Sequence, residues 1–416
     1  MQISDTIKRQ GNDCSQAVAP SAGANKPAKA WQLDVSFAAR YFYPIIFTRQ
    51  AFAADNPSLA TALAPGAAAS KQKALVFVDQ GVAEAWPRLS ENIVRKLSSL
   101  HSIELADAPH IVPGGEAAKN GLGVVESVAA CSAQHCLDRH SFIIAIGGGA
   151  MLDAVGMAAS LIHRGVRLVR MPTTVLAQND AGIGVKNGVN AFGQKNYYGC
   201  FQPPFAVIND LDFIHTLSAR CWRAGAAEAV KVACIKDARF FAFLEENAAA
   251  IKQRDAVAMA TLIRRCAQLH ADHIANGQDP FENGSGRPLD FGHWAAHWLE
   301  MASDNALLHG EAVAIGIALD SLYAQRRGLL PRSEAERIVK CLAALGFTLW
   351  HERMSDADAQ GKLAMFAGLE RFREHLGGRL TVTFPSPLGS SRDEHEIDLE
   401  LMAECVEELR CQAGSD

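Results

Sequence analysis

The period of apolar and polar positions changes once along this chain, near residue 212. Before that point, apolar runs of strand length stand between helical stretches: ALVFVD at 74–79, HSIELADAPH at 101–110, SFIIAIGGG at 141–149, VRLVRMPTT at 166–174 and FAVIND at 205–210. Continuous β-branched runs bounded by Gly, Pro and Asp read as strands buried on both faces. Their alternation with helices predicts a parallel sheet covered on both sides. WQLDVSFAARYFYPIIFTRQAF, 31–52, alternates and is rich in aromatics, which suits an opening strand pair. After Asp212 the period is helical in AGAAEAVKVACIKDARFFAFLEENAAAIKQ, in AVAMATLIRRCAQLHADHIANG, from Leu289 to Gly316 and in SEAERIVKCLAALGF, with no clear strand before RLTVTF near 379. The expected organisation is therefore a mobile tail over 1–30, an α/β domain over 31–212 and a mostly helical domain over 213–416.

Composition narrows the function classes. A length of 416 residues exceeds what one core usually serves, and 49% apolar with 20% charged residues and a net charge of −5 is an ordinary globular balance. No basic block tracks a nucleic-acid backbone, so any anion bound is expected to be small. No apolar run reaches the roughly 18 residues needed to span a bilayer. The start, MQISDTIKRQGNDCSQ, has no hydrophobic signal core. The ten cysteines lack paired spacing, Cys131 and Cys136 being five apart, and read as reduced thiols of a cytoplasmic protein.

Four segments carry candidate chemistry. IIAIGGGAMLDAVGMAA is a buried strand, three glycines and a helix. Gly147, Gly148 and Gly149 would let backbone approach a pyrophosphate at a helix N-terminus, though the spacing is not G-x-G-x-x-G. Asp79, ending its strand, suits either a ribose hydroxyl or a helix cap. QNDAGIGVKNGVNAFGQKNYYG, 178–199, gathers Asp180, Lys186, Asn187, Asn190, Lys195 and Asn196 among glycines, as a phosphate-binding loop would. In GAAEAVKVACIKD, Glu228 and Lys231 share a helical face with apolar neighbours, and a buried carboxylate needs a cation. The stretch from Leu289 to Gly316 adds His293, His297 and His309. A local reading pairs His293 with His297, four apart, but lacks the glutamate of H-E-x-x-H. The alternative joins His293 and His309 to distant Glu228, a two-imidazole, one-carboxylate set suited to Zn2+ with a position open for substrate, which leaves His297 free to act on substrate.

In order along the chain, IGGGAMLDAVGMAASLIHRGVRLVRMPTTVLAQNDAGIGVKNGVN, GQKN, AGAAEAVKVACIKD, LDFGHWAAH and LLHGEAVAIG resemble the 3-dehydroquinate synthase family and its wider group, the sugar phosphate cyclases, over about residues 40–400. The resemblance implies an N-terminal Rossmann-like α/β nucleotide domain, a mostly α-helical C-terminal metal-binding domain, and an NAD- and zinc-dependent lyase working between them. It implies Glu228, His293 and His309 as metal ligands, for Zn2+ first, with Co2+ or Mn2+ able to occupy the same set. NAD would lie on Gly147, Gly148 and Gly149 with Asp79, Glu116, Lys119, Asp153, Thr173, Thr174, Lys195, Thr216 and Leu217 around it. Lys231, His297 and Asp180 would act on a sugar phosphate held also by Lys186, Lys195, Asn196, His270, Glu282, Arg287 and Asp290. An arginine at the position of Arg164 would reach the neighbouring subunit's phosphate site, which implies a homodimer. The implied chemistry is transient oxidation of a ring hydroxyl, β-elimination of phosphate, re-reduction, ring opening and an intramolecular aldol closure.

The chain departs from that pattern where a substrate carboxylate would sit. Dehydroquinate synthases read LNxGHTxGH where this chain has LDFGHWAAH, so Asp290 replaces an asparagine and Trp294 a threonine. A lysine that meets the carboxylate is His270 here, Arg287 stands one residue nearer the histidine than expected, and TFPSPLG lacks a lysine expected to touch phosphate. KNGVNAFGQKNYYGCF and RPLDFGHWAAH resemble instead the sedoheptulose 7-phosphate cyclases, which make valiolone-type cyclitols for secondary metabolism. The sequence reading therefore favours a sedoheptulose 7-phosphate cyclase over 3-dehydroquinate synthase, with an NAD- and metal-dependent polyol dehydrogenase as a further alternative.

Overall fold

A computed structural model describes residues 32–64, 71–277, 279–282, 288–375 and 378–413. The tail expected over 1–30 and Arg287 lie outside the described residues. Contacts divide the chain into Met1–Tyr41 and Phe42–Asp416. Residues 32–41 carry no helix or strand, and all described elements belong to the second unit.

The strands β1 (Ile45–Thr48), β2 (Gln72–Asp79), β3 (Ile103–Leu105), β4 (His110–Val112), β5 (Phe142–Gly147), β6 (Arg167–Pro172) and β9 (Ala206–Asp210) form one parallel sheet. Between β6 and β9 the strands β7 (Lys186–Ala191) and β8 (Gln194–Phe201) make a separate antiparallel hairpin. The order across the sheet is β1-β9-β6-β5-β2-β3, with β4 also on β2. Side-chain alternation feeds two cores: Leu75, Phe77, Ile143 and Ala145 enter one, and Ala74, Val76, Val78, Phe142, Ile144 and Ile146 the other. Each fully buried Val, Leu or Ile contributes about 1.5–3 kcal/mol, which is why these runs carry no polar face.

Two sequence expectations change here. The opening strand pair over 31–52 is a single strand, β1, which starts after Pro44 and finds its partner in β9 across the sheet rather than in a hairpin. HSIELADAPH is two strands, because Pro109 lacks the N–H that a ladder needs. β3 pairs Gln72–Ala74 and β4 pairs Phe77–Asp79 of the same partner, with Asp107 in the break.

The C-terminal part packs around the helix Ala219–Lys236, whose residues from Ala224 to Ile235 are all buried. A helix covered on all sides must be apolar or carry paired charges, so Glu228 and Lys231 lie in the core itself. Around it stand the helices Ala238–Lys252, Ala256–Asn276, His293–Ala302, His309–Arg326, Arg332–Leu345 and Leu399–Ala413. The run RLTVTF gives β10 (Val382–Pro385), paired with β11 (Ser391–Glu394). Gly292 and Gly316 let the His293 and His309 helices touch. Gly292 has φ +77°, and a Cβ on Gly316 would fall 1.9 Å from Gly292 O. Among the described residues no helix is long and apolar enough to cross a membrane.

Candidate active site

Three helices converge on one carboxylate. His309 Nε2 lies 3.2 Å and His293 Nε2 3.5 Å from Glu228 Oε1, and the ligand atoms of all three residues fall within 4.8 Å of one another. The remaining nitrogens decide the tautomers. His293 Nδ1 is 3.1 Å from the carbonyl of Phe291, which only accepts, and His309 Nδ1 is 3.2 Å from Glu300 Oε2. With both Nδ1–H groups donating outward, both Nε2 atoms face Glu228, the arrangement by which outer partners aim imidazoles at a metal. Electrostatics agree. Burial pulls His309 down, but Glu300 and Glu228 outweigh it and push it up to about 10. Burial raises Glu228, yet Lys231 and His293 hold it well below the usual carboxylate range. A buried site that attracts a proton this strongly suits a divalent cation, and Glu228 Oε2 accepts no hydrogen bond. Lys231 Nζ stands 2.5 Å from that oxygen as an ion pair.

His297 stays outside this set. Its ring centroid is 5.4 Å from that of His293 and 6.2 Å from that of His309. Burial, and next the charge of His293, pull it down to about 3, so it is a neutral imidazole. The ligand atoms that meet across helices are those of Glu228, His293 and His309, the second of the two sets the sequence offered. Opposite lies Asp180, on a single π-helical turn, Ala177–Ala181, at the end of β6. Its Oδ1 is 2.7 Å from His270 Nδ1. Burial and Glu228 raise Asp180, and His270 and Lys231 lower it further than that. Asp290 is lowered against burial by Lys186 first, then His293 and Lys231.

The segment expected as a phosphate loop is the β7–β8 hairpin, whose alternation sorts its side chains. Lys186 faces out, with Nζ 2.8 Å from Glu282 Oε2. Asn187 turns inward: its Oδ1 accepts from Arg170 Nη2 at 2.6 Å and packs on Gly156, where a Cβ would meet it at 1.9 Å. It is removed from the set of phosphate donors for that reason. Lys195 Nζ reaches Glu300 Oε1 at 2.7 Å, and the backbone N–H of Asn196, at φ +54°, donates to Asn190 Oδ1. Arg164 is exposed, at φ +63° where the helix Gly149–Leu161 has ended.

The cofactor candidates gather at the carboxyl ends of β2, β5 and β6, where strand order reverses between β2 and β5 and ligands of such sheets bind. Gly147 ends β5, Gly148 is the N-cap and Gly149 the first residue of the following helix. Asp79 caps its helix by accepting from Gly81 N at 2.8 Å, and its carboxylate fills the space beside Gly114. Thr173 is 3% exposed, its N–H donates to Gly147 O, and its Oγ1 has no partner, an orphan that a bound group would satisfy. Thr174 Oγ1 accepts from Ala177 N. Lys119 pairs with Asp153. Glu116 accepts from Asn190, which ties the hairpin to this edge. Thr216, beside Leu217, accepts from Trp86 Nε1 at 3.2 Å.

Two family models, 3-dehydroquinate synthase N-terminal and 3-dehydroquinate synthase C-terminal, match residues 109–224 and 225–366. The 3-dehydroquinate synthase of Rhodopseudomonas palustris (strain BisA53) is 34% identical over 349 residues, 81% of this chain and 86% of that one. The chain belongs to the 3-dehydroquinate synthase family. The 2-epi-5-epi-valiolone synthase of Streptomyces hygroscopicus subsp. jinggangensis 5008, solved with NAD+ and Zn2+ bound, is 30% identical with a TM-score of 0.80, covering 91% of this chain and 100% of that one. A 2-deoxy-scyllo-inosose synthase complexed with carbaglucose-6-phosphate, NAD+ and Co2+ shares the fold at 22% identity and a TM-score of 0.68, over 88% and 96% of the two chains.

Three residues of this family member escaped sequence reasoning. Glu300, 3% exposed, joins His309 to Lys195, and its place two helical turns after His293 was the available signal. Asp320 accepts from Trp294 Nε1 at 2.9 Å and Gly292 N at 3.0 Å, bracing the turn that presents His293. Trp294, which replaces the usual threonine, thus has a partner one helix away. Arg170, fully buried, donates to Gly184 O and Lys186 O as well as to Asn187.

Proposed function

We propose that this enzyme is a sugar phosphate cyclase, a carbon–oxygen lyase that converts sedoheptulose 7-phosphate to a valiolone-type cyclitol with NAD+ and Zn2+ as cofactors. One observation carries the choice of substrate: His270, standing where the carboxylate-binding lysine is expected, is engaged at 2.7 Å with Asp180. An imidazole already matched to the protein's own carboxylate has little charge to offer a second one. A substrate carboxylate placed there would face Asp180, and a buried charge without its partner costs about 2 kcal/mol or more. A neutral hydroxymethyl end meets no such penalty. The likeness to the valiolone synthase supports the same reading.

When bound, NAD+ supplies reversible oxidation of a ring hydroxyl and the divalent ion supplies Lewis-acid polarisation of its oxygen. Glu228, His293 and His309 would hold that ion. Gly147, Gly148, Gly149, Thr173, Thr174, Asp79, Glu116, Lys119, Asp153, Thr216 and Leu217 would hold the dinucleotide. Lys231, kept charged by Glu228 and Asp180, orients the reacting hydroxyl. Neutral His297 accepts a proton at Nε2 or Nδ1, and Asp180 with His270 binds the ring hydroxyls. Lys186, Lys195 and Asn196 hold the phosphate, which leaves with the C–O bonding pair as the neighbouring C–H loses its proton. Arg164, exposed on a left-handed corner, would complete the phosphate site of a second copy in a homodimer. The second reading, 3-dehydroquinate synthase, draws on the names of the curated relatives.

The deciding experiment measures phosphate release from the purified enzyme with catalytic NAD+ and Zn2+ on sedoheptulose 7-phosphate and, separately, on the seven-carbon acid phosphate used by dehydroquinate synthases. Release from the first alone is expected. Release from the second alone would establish the carboxylate-binding reading.

A further inference from the structure

A second cluster of metal-ligating side chains lies on the N-terminal domain, remote in sequence from the catalytic ligands. It joins the β3–β4 break to the end of the helix Gly123–Gln134. Cys131 is in the last turn of that helix and His135 is its C-cap, so the two are one helical turn apart on one face. His110 opens β4, its ring stacked on Phe77 at 5.4 Å, and Asp107 sits in the break three residues earlier. The ligand atoms of His110, Cys131 and His135 lie within 4.8 Å of one another. Asp107 supplies a fourth. Its Oδ1 accepts from Ala108 N, and its Oδ2 is 3.3 Å from His110 Nε2 and 3.2 Å from His135 Nε2. Cys131 Sγ is 3.1 Å from the same His110 Nε2.

Hydrogen bonding does not account for this convergence. His110 Nε2 carries at most one proton, so it either donates to Asp107 or accepts from the Cys131 thiol, and one of those contacts is left unmade. A cation satisfies all four groups together. With metal–nitrogen and metal–oxygen bonds near 2.0–2.1 Å and metal–sulfur near 2.3 Å, a tetrahedral ion would set N···O edges of about 3.3 Å and an S···N edge of about 3.6 Å. The observed 3.3 and 3.2 Å match the first, and the third edge needs a shift of about half an ångström.

We propose that Asp107, His110, Cys131 and His135 form a second metal site, for Zn2+ or a similar borderline-soft divalent ion. One thiolate, two imidazoles and one carboxylate match that class. Four protein ligands leave no open position, so the ion staples structure rather than activating water. It would fasten β4 to the helix Gly123–Gln134, and β4 runs after two residues into the Gly115–Lys119 segment of the proposed cofactor edge.

The test uses sulfur as the reporter, because Glu228, His293 and His309 contain none. The full chain is stripped and reloaded with Co2+, and metal per chain is measured with near-ultraviolet absorption. Two ions per chain and a thiolate-to-cobalt band are expected. Cys131→Ser, nearly isosteric, should abolish the band and leave one ion, with the other metal's affinity unchanged, and His135→Gln should likewise leave one. His293→Ala should also leave one ion yet keep the band, which separates this site from the catalytic reading. A single ion in the wild-type chain, a second ion without the band, or a band that survives Cys131→Ser would each overturn the proposal.

Discussion

Glu300 would govern the proposed metal centre without belonging to it. Its two oxygens hold His309 Nδ1 and Lys195 Nζ, so it sets the tautomer of the proposed ligand His309 and the position of the Lys195 cation together. Glu300→Gln keeps the shape and removes the charge. Metal affinity is expected to fall about 10–100-fold, read by competition with a chelator, with the fold intact by circular dichroism. His293→Ala should abolish binding at that centre, whereas His297→Ala should keep the metal and lower turnover by about 10²–10⁴-fold, the usual loss of a proton-transferring group. Equal metal loss from both histidine variants would restore the pairing of His293 with His297. Spacing along the chain left both pairings open, since either puts two imidazoles near one another. Only the distances to Glu228 separate them, and residue 228 lies far from 293 in sequence.

At the scale of elements, two buried polar groups hold site-bearing backbone in place. Arg170 donates to the carbonyls of Gly184 and Lys186, just where the chain leaves the Asp180 turn and enters β7. Arg170→Met leaves those acceptors unpaired and should lower stability by about 3 kcal/mol in urea unfolding. Asp320 braces the start of the His293 helix. Burial pushes its carboxyl up to about 7, against the hydrogen bonds from Trp294 and Gly292. A carboxyl raised above its unfolded value of 3.8 binds more protons folded than unfolded in that window. Its contribution is therefore complete below pH 3.8 and is lost as pH rises from there to about 7, at about 1.4 kcal/mol per pH unit. Comparing the pH dependence of unfolding for wild type and Asp320→Asn should show that slope only in the wild type. The strands themselves were legible as buried β-branched runs. The β7–β8 hairpin was not, because glycines and amides signal a loop when read locally, and the antiparallel pairing of Lys186–Ala191 with Gln194–Phe201 overrides that signal.

For the whole molecule, the two halves of the site come from different architectures. The proposed cofactor edge is built by strand ends of a sheet with two cores of its own, while the proposed metal ligands ride on three helices of another core. NAD+ binding should consequently survive His293→Ala, measured by calorimetry, and NAD+ at a hundred times its Kd should raise unfolding stability by about 2.7 kcal/mol. Loss of NAD+ binding in that variant would mean the two halves are one cooperative unit. The chain's own pattern determined the class of fold and the glycine turn after β5, because periodicity and short spacings are properties of neighbours along a chain. What the tertiary structure alone decided was which residues meet. Glu228 with His293 and His309, Asp180 with His270, Lys195 with Glu300, and Asp107 with His135 are all pairs brought together by packing. Local sequence does not encode the distance between residues separated by many turns of chain, and burial, which sets their charge states, exists only once the cores have closed.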